Sequence, residues 1–312
     1  MPSWDRKLRN RLKSGAHSLF VAGQKFGWDI LPRHFYSSIP DIAELRSEEA
    51  WRTPSSLVGV NGADVACQMH FVRECCPSAL QERLRQGGIH AYACHENGEP
   101  GYGAVEADFL FCFIASKRPK RIVQVGCGVS TAVILLAAKE SAYRPQITCI
   151  EPFPTAYLKR LAESKWIDLV PAKAQHVDLA LFSDLDAGDL LFIDSTHAVR
   201  PGSEVNRLIL EVLPRVNPGC FVHFHDIYFP YDYQSTVLTT LFFAGESTLL
   251  HAFLINNARY WIAACFSMLH HACRQEMQAI FPHYRPAPMH NGLHLEPGGS
   301  GHFPSSIYLV VH

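Results

Sequence analysis

Four places in the chain put chemically useful residues directly after short apolar runs. Gly126-Cys127-Gly128 follows RIVQV, Glu151 follows QITCI, Asp194-Ser195-Thr196-His197 follows DLLFI, and Asp226 follows GCFVHFH. Gly126 and Gly128 lack Cβ, so the backbone there can turn sharply and come close to a ligand. Ser130 and Thr131 then open the apolar run Ala132–Ala138, which reads as a helix start. A buried strand, a Gly-x-Gly turn and a helix N-terminus together make a nucleotide-type site. Glu151 comes 25 positions after Gly126. An acid at that place can accept hydrogen bonds from both hydroxyls of a ribose. The third glycine of a dinucleotide fingerprint would fall at Thr131 and is missing, which argues against a dinucleotide.

Histidine chemistry gathers in the last two places. His223 and His225 are two apart on a strand and so share a face; His223 reads as a satisfied core histidine. His197 lies just past a strand end beside Asp194 and is the better proton acceptor. A neutral imidazole near pH 7 can take the proton of a hydroxyl, and a carboxylate partner would orient it.

The elements that must hold these groups alternate. Strand 121–125 is followed by helix 129–140, strand 146–150 by helix 155–164, and short strand 168–170 by a loop with a short helix near 178–184. Strand 189–193 is followed by helix 203–213 and then by strand 219–225. Alternation of this kind predicts an α/β fold: a doubly wound, Rossmann-like, mostly parallel sheet with helices on both faces. Ligands of such sheets bind at the carboxyl ends of the strands, where all four polar groups fall. The tail is expected to hold helix 247–256, a strand near 259–265, a loop rich in Pro, Gly and His, and a last strand near 306–311 as an edge pair. Residues 1–102 read as an N-terminal helical and loop extension, and 103–312 as the catalytic domain. Within the extension, 62–87 is helical with a break at Pro77, and 88–102 is turn chemistry. Gln175 and His176 follow the third strand and are expected to border the ligand's base. Tyr228, Tyr231 and Tyr233 either wall a substrate pocket or cover the sheet end.

Composition excludes several function classes. Apolar residues make up 48%, enough for a substantial core, and 28 Lys plus Arg against 29 Asp plus Glu leave a net charge of −1. That is no footprint for nucleic acid. The ten cysteines contain no Cys-x-x-Cys pair. They read as free, mostly buried thiols in a reducing, cytoplasmic setting rather than as a zinc site. The basic start, MPSWDRKLRNRLKSGAHSLFVAG, lacks a sustained apolar stretch and reads as a docking helix. The run Thr236–Ile255 is interrupted by Glu246 and His251, so no membrane span is expected. A small-molecule substrate is the expected partner, with a homodimer left open.

Gly-x-Gly-x-Ser-Thr after a strand, an acid ending the next and an Asp ending the fourth resemble the class I S-adenosylmethionine-dependent methyltransferases. LLFIDSTHAVRPGSEVNRLILEVLPRVNPGCFVHFHDIYFPYDY and HFYSSIPD resemble a bacterial subgroup acting on small molecules and sugars, so the likeness spans most of 25–265. It implies S-adenosylmethionine as cofactor, held by Gln124, Gly126, Gly128, Ser130, Thr131, Glu151, Gln175, His176 and Asp194. The family usually has Glu or Asp where this chain has Gln124. It implies methyl transfer to a hydroxyl, with His197 as base and Asp194, His225 and Asp226 in support. In metal-dependent relatives the positions of Asp194, His225 and Asp226 bind a divalent cation such as Mg, Mn or Fe. Two carboxylates and an imidazole can do so here; otherwise Asp226 orients His197 or His225 without metal. Three alternatives stand beside this reading: N-methyl transfer, a metal-dependent oxygenase or lyase on the same fold, and a non-catalytic cofactor-binding scaffold.

Overall fold

The computed structural model describes residues 3–33, 37, 39–287 and 301–312, with the backbone alone at 3–12, 235 and 236. Compactness divides the chain into residues 1–47 and 48–312. The first unit holds helices α1 (Ser3–Lys25) and α2 (Ile42–Ser47), with a turn in which the Phe26 and Trp28 amides both donate to the Gly23 carbonyl. Half of the HFYSSIPD motif, residues 34–36 and 38, lies outside the described residues.

The second unit is built on seven strands. These are β1 (Arg121–Val125), β2 (Gln146–Ile150), β3 (Asp168–Val170), β4 (Leu190–Ile193), β5 (Phe221–Phe224), β6 (Tyr260–Cys265) and β7 (Ile307–Val311). They form one sheet in the order β3-β2-β1-β4-β5-β7-β6. Neighbours from β3 to β5 pair in parallel, and β7 runs antiparallel to both β5 and β6. The fold is therefore the expected doubly wound α/β sheet, with the terminal pair on its edge. The chain winds outward in both directions from β1 and β4, so their shared end is the topological switch point.

Period-two alternation gives the sheet two buried faces. Ile122, Leu190, Phe192, Ala264 and Tyr308 point to one core, and Val123, Val125, Leu191, Ile193, Val222 and Leu309 to the other. The first core is covered by α3 (Val65–Cys75), α4 (Ser78–Gln86), α5 (Ile89–Asn97), α6 (Ala104–Lys117), α7 (Val129–Glu140), α8 (Ala156–Glu163), α12 (Phe266–Ala272) and α13 (Arg274–Ile280). The second is covered by α9 (Ala180–Ser183), α10 (Glu204–Arg207), the turns that continue it, and α11 (Glu246–Leu254).

Three differences from the sequence expectation have physical causes. Residues 88–102 hold α5, a helix enclosed by left-handed Gly88 and Gly98. Those glycines are its caps, and the Gly98 amide donates to the Cys94 carbonyl. Helices α3 and α5 pack on α6 and α7, so by compactness residues 48–102 group with the sheet. Finally, the helix expected at 203–213 ends at Arg207. It continues as a π turn over Leu208–Val212 and a 3-10 turn over Leu213–Arg215, because Pro214 has no N–H for a carbonyl four residues back.

Asp108 on α6 is buried in the first core, where burial pushes its carboxyl up to about 7, Arg83 offsetting only part of the cost. A folded-state pKa above the unfolded value means that this group lowers stability as pH rises from about 4 to 7. Asp108→Asn should therefore raise the melting temperature at pH 8 by roughly 3–8 °C. The gain should shrink towards pH 4, and an equal gain at both pH values would contradict this account.

Candidate active site

Strand register brings the polar groups into one row. Val125 pairs with both Ile150 and Ile193, and Ile193 pairs with Phe224. The next residues, Gly126, Glu151, Asp194 and His225, are therefore flush. Backbone bonds lock them: the Gly126 amide donates to the Ile150 carbonyl, Asp194 to Val125, and His225 to Ile193. Gly126 adopts φ +77°, and a Cβ there would collide with the Asp194 carbonyl oxygen. Only glycine lets β1 turn this close to β4.

A cleft of about 310 Å³ opens over this turn. Gly126, Gly128, Ser130, Glu151 and Asp194 line it, together with Asn97, Tyr102 and Phe153. Glu151 is half-buried, and its two oxygens accept from the Phe153 amide at 2.9 Å and the Cys127 amide at 3.4 Å. Those bonds aim the carboxylate along the turn. Phe153 is 80% exposed and offers an aromatic face at the rim.

Gln124 and Thr131, counted by sequence among ligand-contacting residues, lie beneath the turn instead. Both are fully buried and do not line the cleft. The Gly128 amide donates to Thr131 Oγ1 at 3.1 Å, and that hydroxyl donates to Gln124 Oε1 at 2.8 Å. Gln124 Nε2 in turn donates to Ser130 Oγ at 2.8 Å. The amide thus braces the helix start from within, where a carboxylate would be a buried charge. Gln175 and His176 are likewise displaced from the cleft: Gln175 Nε2 donates to the Gly202 carbonyl at 3.2 Å, and His176 is exposed.

Beside the cleft, His197, His225, Asp194 and Asp226 converge as expected, and two further acids join them. His197 Nε2 stands 3.4 Å from Asp194 Oδ1 and 3.6 Å from Asp226 Oδ2, while its Nδ1 is 2.6 Å from Glu246 Oε2. His225 Nδ1 stands 3.4 Å from Asp194 Oδ1 and 3.6 Å from Asp226 Oδ1, with Nε2 3.9 Å from Glu106 Oε1. Ser305 Oγ donates to Asp226 Oδ1 at 2.9 Å and the Ser305 amide to Glu106 at 2.9 Å. His197 and Asp226 both hold left-handed backbone, φ +57° and +56°, which costs energy in non-glycine residues. His223 is a core residue: its Nε2 meets the Tyr102 hydroxyl at 3.1 Å, its ring stacks on Phe192, and burial drives its pKa well below the usual value.

Sequence reading missed Glu246 and Glu106. Glu246 was visible as a charge interrupting an apolar run, and Glu106 as one of two acids, with Asp108, in the first turns of a largely apolar helix. Buried acids in such positions need a partner.

The electrostatics follow from burial and crowding. Burial opposes charge on His197, yet Asp194, Glu246 and Asp226 pull its pKa up to about 11. Burial likewise opposes charge on His225, which Asp194 and Asp226 pull up to about 9. Burial works against charge on Asp194 too, but the two imidazoles hold it far below the carboxylate range. Burial pushes Glu246 and Glu106 up, only partly offset by His197 and His225. The expectation that His197 accepts a proton at neutral pH conflicts with this setting. Without a cation, three carboxylates keep it protonated.

The donors fit a divalent cation. Ligand atoms of Asp194, His197 and His225 lie within 4.8 Å of one another. Asp226 faces both rings, and buried His225 Nε2 and Glu246 Oε1 have no hydrogen-bond partner among the described residues. The set expected from sequence was Asp194, His225 and Asp226; the group whose donor atoms come together has His197 in place of Asp226.

Residues 123–227, from β1 to just past the end of β5, match the family model described as a methyltransferase domain. This segment is similar to a methyltransferase domain. An uncharacterized protein of Archaeoglobus fulgidus is 28% identical over 164 residues, covering 50% of this chain and 73% of its own. Among solved structures, the O-methyltransferase TomG of Streptomyces achromogenes, in complex with SAM, is 14% identical, with 75% of this chain and 90% of its own covered at a TM-score of 0.41. The SAH-bound methyltransferase PaMTH1 of Podospora anserina is 16% identical, with 60% and 82% covered at a TM-score of 0.37. No helix among the described residues is long and apolar enough to cross a membrane.

The brace under the glycine turn is open to direct test. Gln124→Leu strands two buried hydroxyls and should cost about 1–3 kcal/mol in urea unfolding. Gln124→Glu should destabilise more at pH 8 than at pH 5, because only the ionised acid buries a charge. Wild-type stability in both variants would remove Gln124 from this role.

Proposed function

We propose that this chain transfers a methyl group from S-adenosylmethionine to a hydroxyl of a small molecule, at a site that also holds a divalent cation. One observation carries the reading: the glycine turn, Glu151, Asp194 and His225 end four adjacent strands in one row, between a cleft and a carboxylate–imidazole cluster.

Each part of the row has a task in this reading. Gly126 lets the backbone approach the donor's methionine portion. Glu151, already aimed by two amides, accepts from the ribose hydroxyls. Phe153 offers its exposed ring to the base. Asp194 lines the cleft and also faces His197 and His225, so it joins donor site to cluster. When bound, a divalent cation would lower the pKa of a hydroxyl and orient its oxygen, so no strongly basic side chain is required. His197 would then serve in its neutral form beside Asp194, His225 and Asp226. Orientation of the acceptor oxygen against the donor methyl supplies much of the acceleration, roughly 7–11 kcal/mol in well-aligned cases.

A second reading has an observation of its own. Asp194, His197 and His225 form a two-histidine, one-carboxylate group, the ligand type of non-haem iron oxygenases. Tightly bound iron and oxygen-dependent turnover without S-adenosylmethionine would favour it.

Calorimetry with S-adenosylmethionine and its demethylated product tests the first reading. Wild-type protein should bind both. Glu151→Gln should weaken both by roughly 10–100-fold, the range for a lost charged hydrogen-bond acceptor. No binding to wild-type protein with or without Mn²⁺ would sink the proposal, and unchanged binding by the variant would remove Glu151 from the site.

A further inference from the structure

Glu246 and Glu106 have no place in the chemistry described above, yet both are buried against the imidazoles of the cluster, at 0% and 5% exposure. Glu246 starts α11, on the side of the sheet covered by the second core, and Glu106 lies in the first turn of α6, over the first core. Each acid stands behind a different histidine. Glu246 takes the Nδ1 side of His197 at 2.6 Å, leaving Nε2 towards Asp194 and Asp226. Glu106 faces the Nε2 side of His225 at 3.9 Å, an ion-pair distance too long for a hydrogen bond, and Nδ1 stands towards the same two aspartates.

A neutral histidine carries one proton and one lone pair. A carboxylate that accepts the N–H on one side fixes the lone pair on the other, the arrangement that orients metal-binding histidines. On His197 that lone pair would point towards Asp194, beside which Nδ1 of His225 also stands. Each imidazole nitrogen stands 3.4 Å from Asp194 Oδ1. Donors around a tetrahedral ion with bonds of about 2.0–2.2 Å are separated by roughly 3.3–3.6 Å.

We infer that Glu246 is a positioning residue that sets His197 as a nitrogen ligand beside that of His225, with Glu106 acting on His225 by charge alone, so that the site takes a nitrogen-preferring transition ion, zinc in type, rather than Mg²⁺. The inference rests on reading the cluster as a cation site, and holds whichever reaction the site performs. Imidazole ligands suit Zn, Fe and Ni, whereas Mg²⁺ prefers oxygen donors. Glu246 does the greater share, because its contact is the shorter.

The test uses the full chain stripped of metal and titrated with Co²⁺ or Zn²⁺ alone, against a competing chelator. Wild-type protein should take up one ion per chain, with the intense visible bands of low-coordinate Co²⁺, and should prefer Zn²⁺ over Mg²⁺. Glu246→Gln should weaken the ion 10–100-fold and shift the cobalt spectrum, while S-adenosylmethionine affinity stays within about twofold. Glu246→Asp should recover part of the loss. Glu106→Gln should weaken the ion less, and it carries the test through His225 if Glu246→Gln does not fold. Wild-type ion affinity and spectrum in both Gln variants would overturn the inference. Failure of wild-type protein to take up Co²⁺ or Zn²⁺ would overturn the cation site itself, leaving the methyl-donor reading to stand or fall on its own calorimetry.

Discussion

The register between β1 and its neighbours is the constraint on which the site depends. Because Val125 pairs with both Ile150 and Ile193, the strands end level, and whatever follows them shares one edge. A slip of one residue would turn every side chain of a strand to the opposite face. The apolar residues of β1 and β4 belong alternately to two different cores, so a slip is costly on both sides at once. Gly126 completes the arrangement, since no other residue fits against the Asp194 carbonyl at its backbone angle. The site's geometry is thus secured by hydrophobic burial and backbone hydrogen bonds far more than by its own polar contacts.

The cluster beside the cleft pulls the other way. Four acids and two imidazoles share a buried volume in which charges are poorly solvated. Protonated imidazoles relieve part of the repulsion, at the expense of the lone pairs that chemistry would use. A divalent cation would relieve it and restore those lone pairs. That exchange gives a physical reason for so many carboxylates in one place, which a lone histidine base would not need. It also explains why the left-handed backbone at His197 and Asp226 is tolerated: both residues stand where several contacts over-determine them.

Much of this was legible in the sequence. β-branched runs ending in polar groups marked the strands, and alternation with helices marked the parallel sheet. The convergence of Asp194, His197, His225 and Asp226 followed from topology alone. What stayed hidden depended on tertiary partners. Helix α5 was obscured because its two capping glycines look like turn residues. Gln124 looked like a ligand contact because the resemblance puts an acid at its place, but its bonds to Ser130 and Thr131 were not visible. Glu246 looked like an accident in an apolar run, since the histidine that justifies it is 49 residues away in the chain. Gln175 followed the expected strand but turned towards Gly202, a contact no local pattern encodes.

The central claim is that a methyl donor in the cleft lies next to a cation in the cluster, with Asp194 between them. Nuclear magnetic resonance of S-adenosylmethionine labelled with ¹³C at its methyl group, bound to the protein with and without Mn²⁺, reads that adjacency directly. The account predicts that Mn²⁺ broadens the bound methyl resonance strongly and that Asp194→Asn or His197→Ala abolishes the broadening. A bound methyl resonance that Mn²⁺ leaves sharp in the wild-type protein would contradict it.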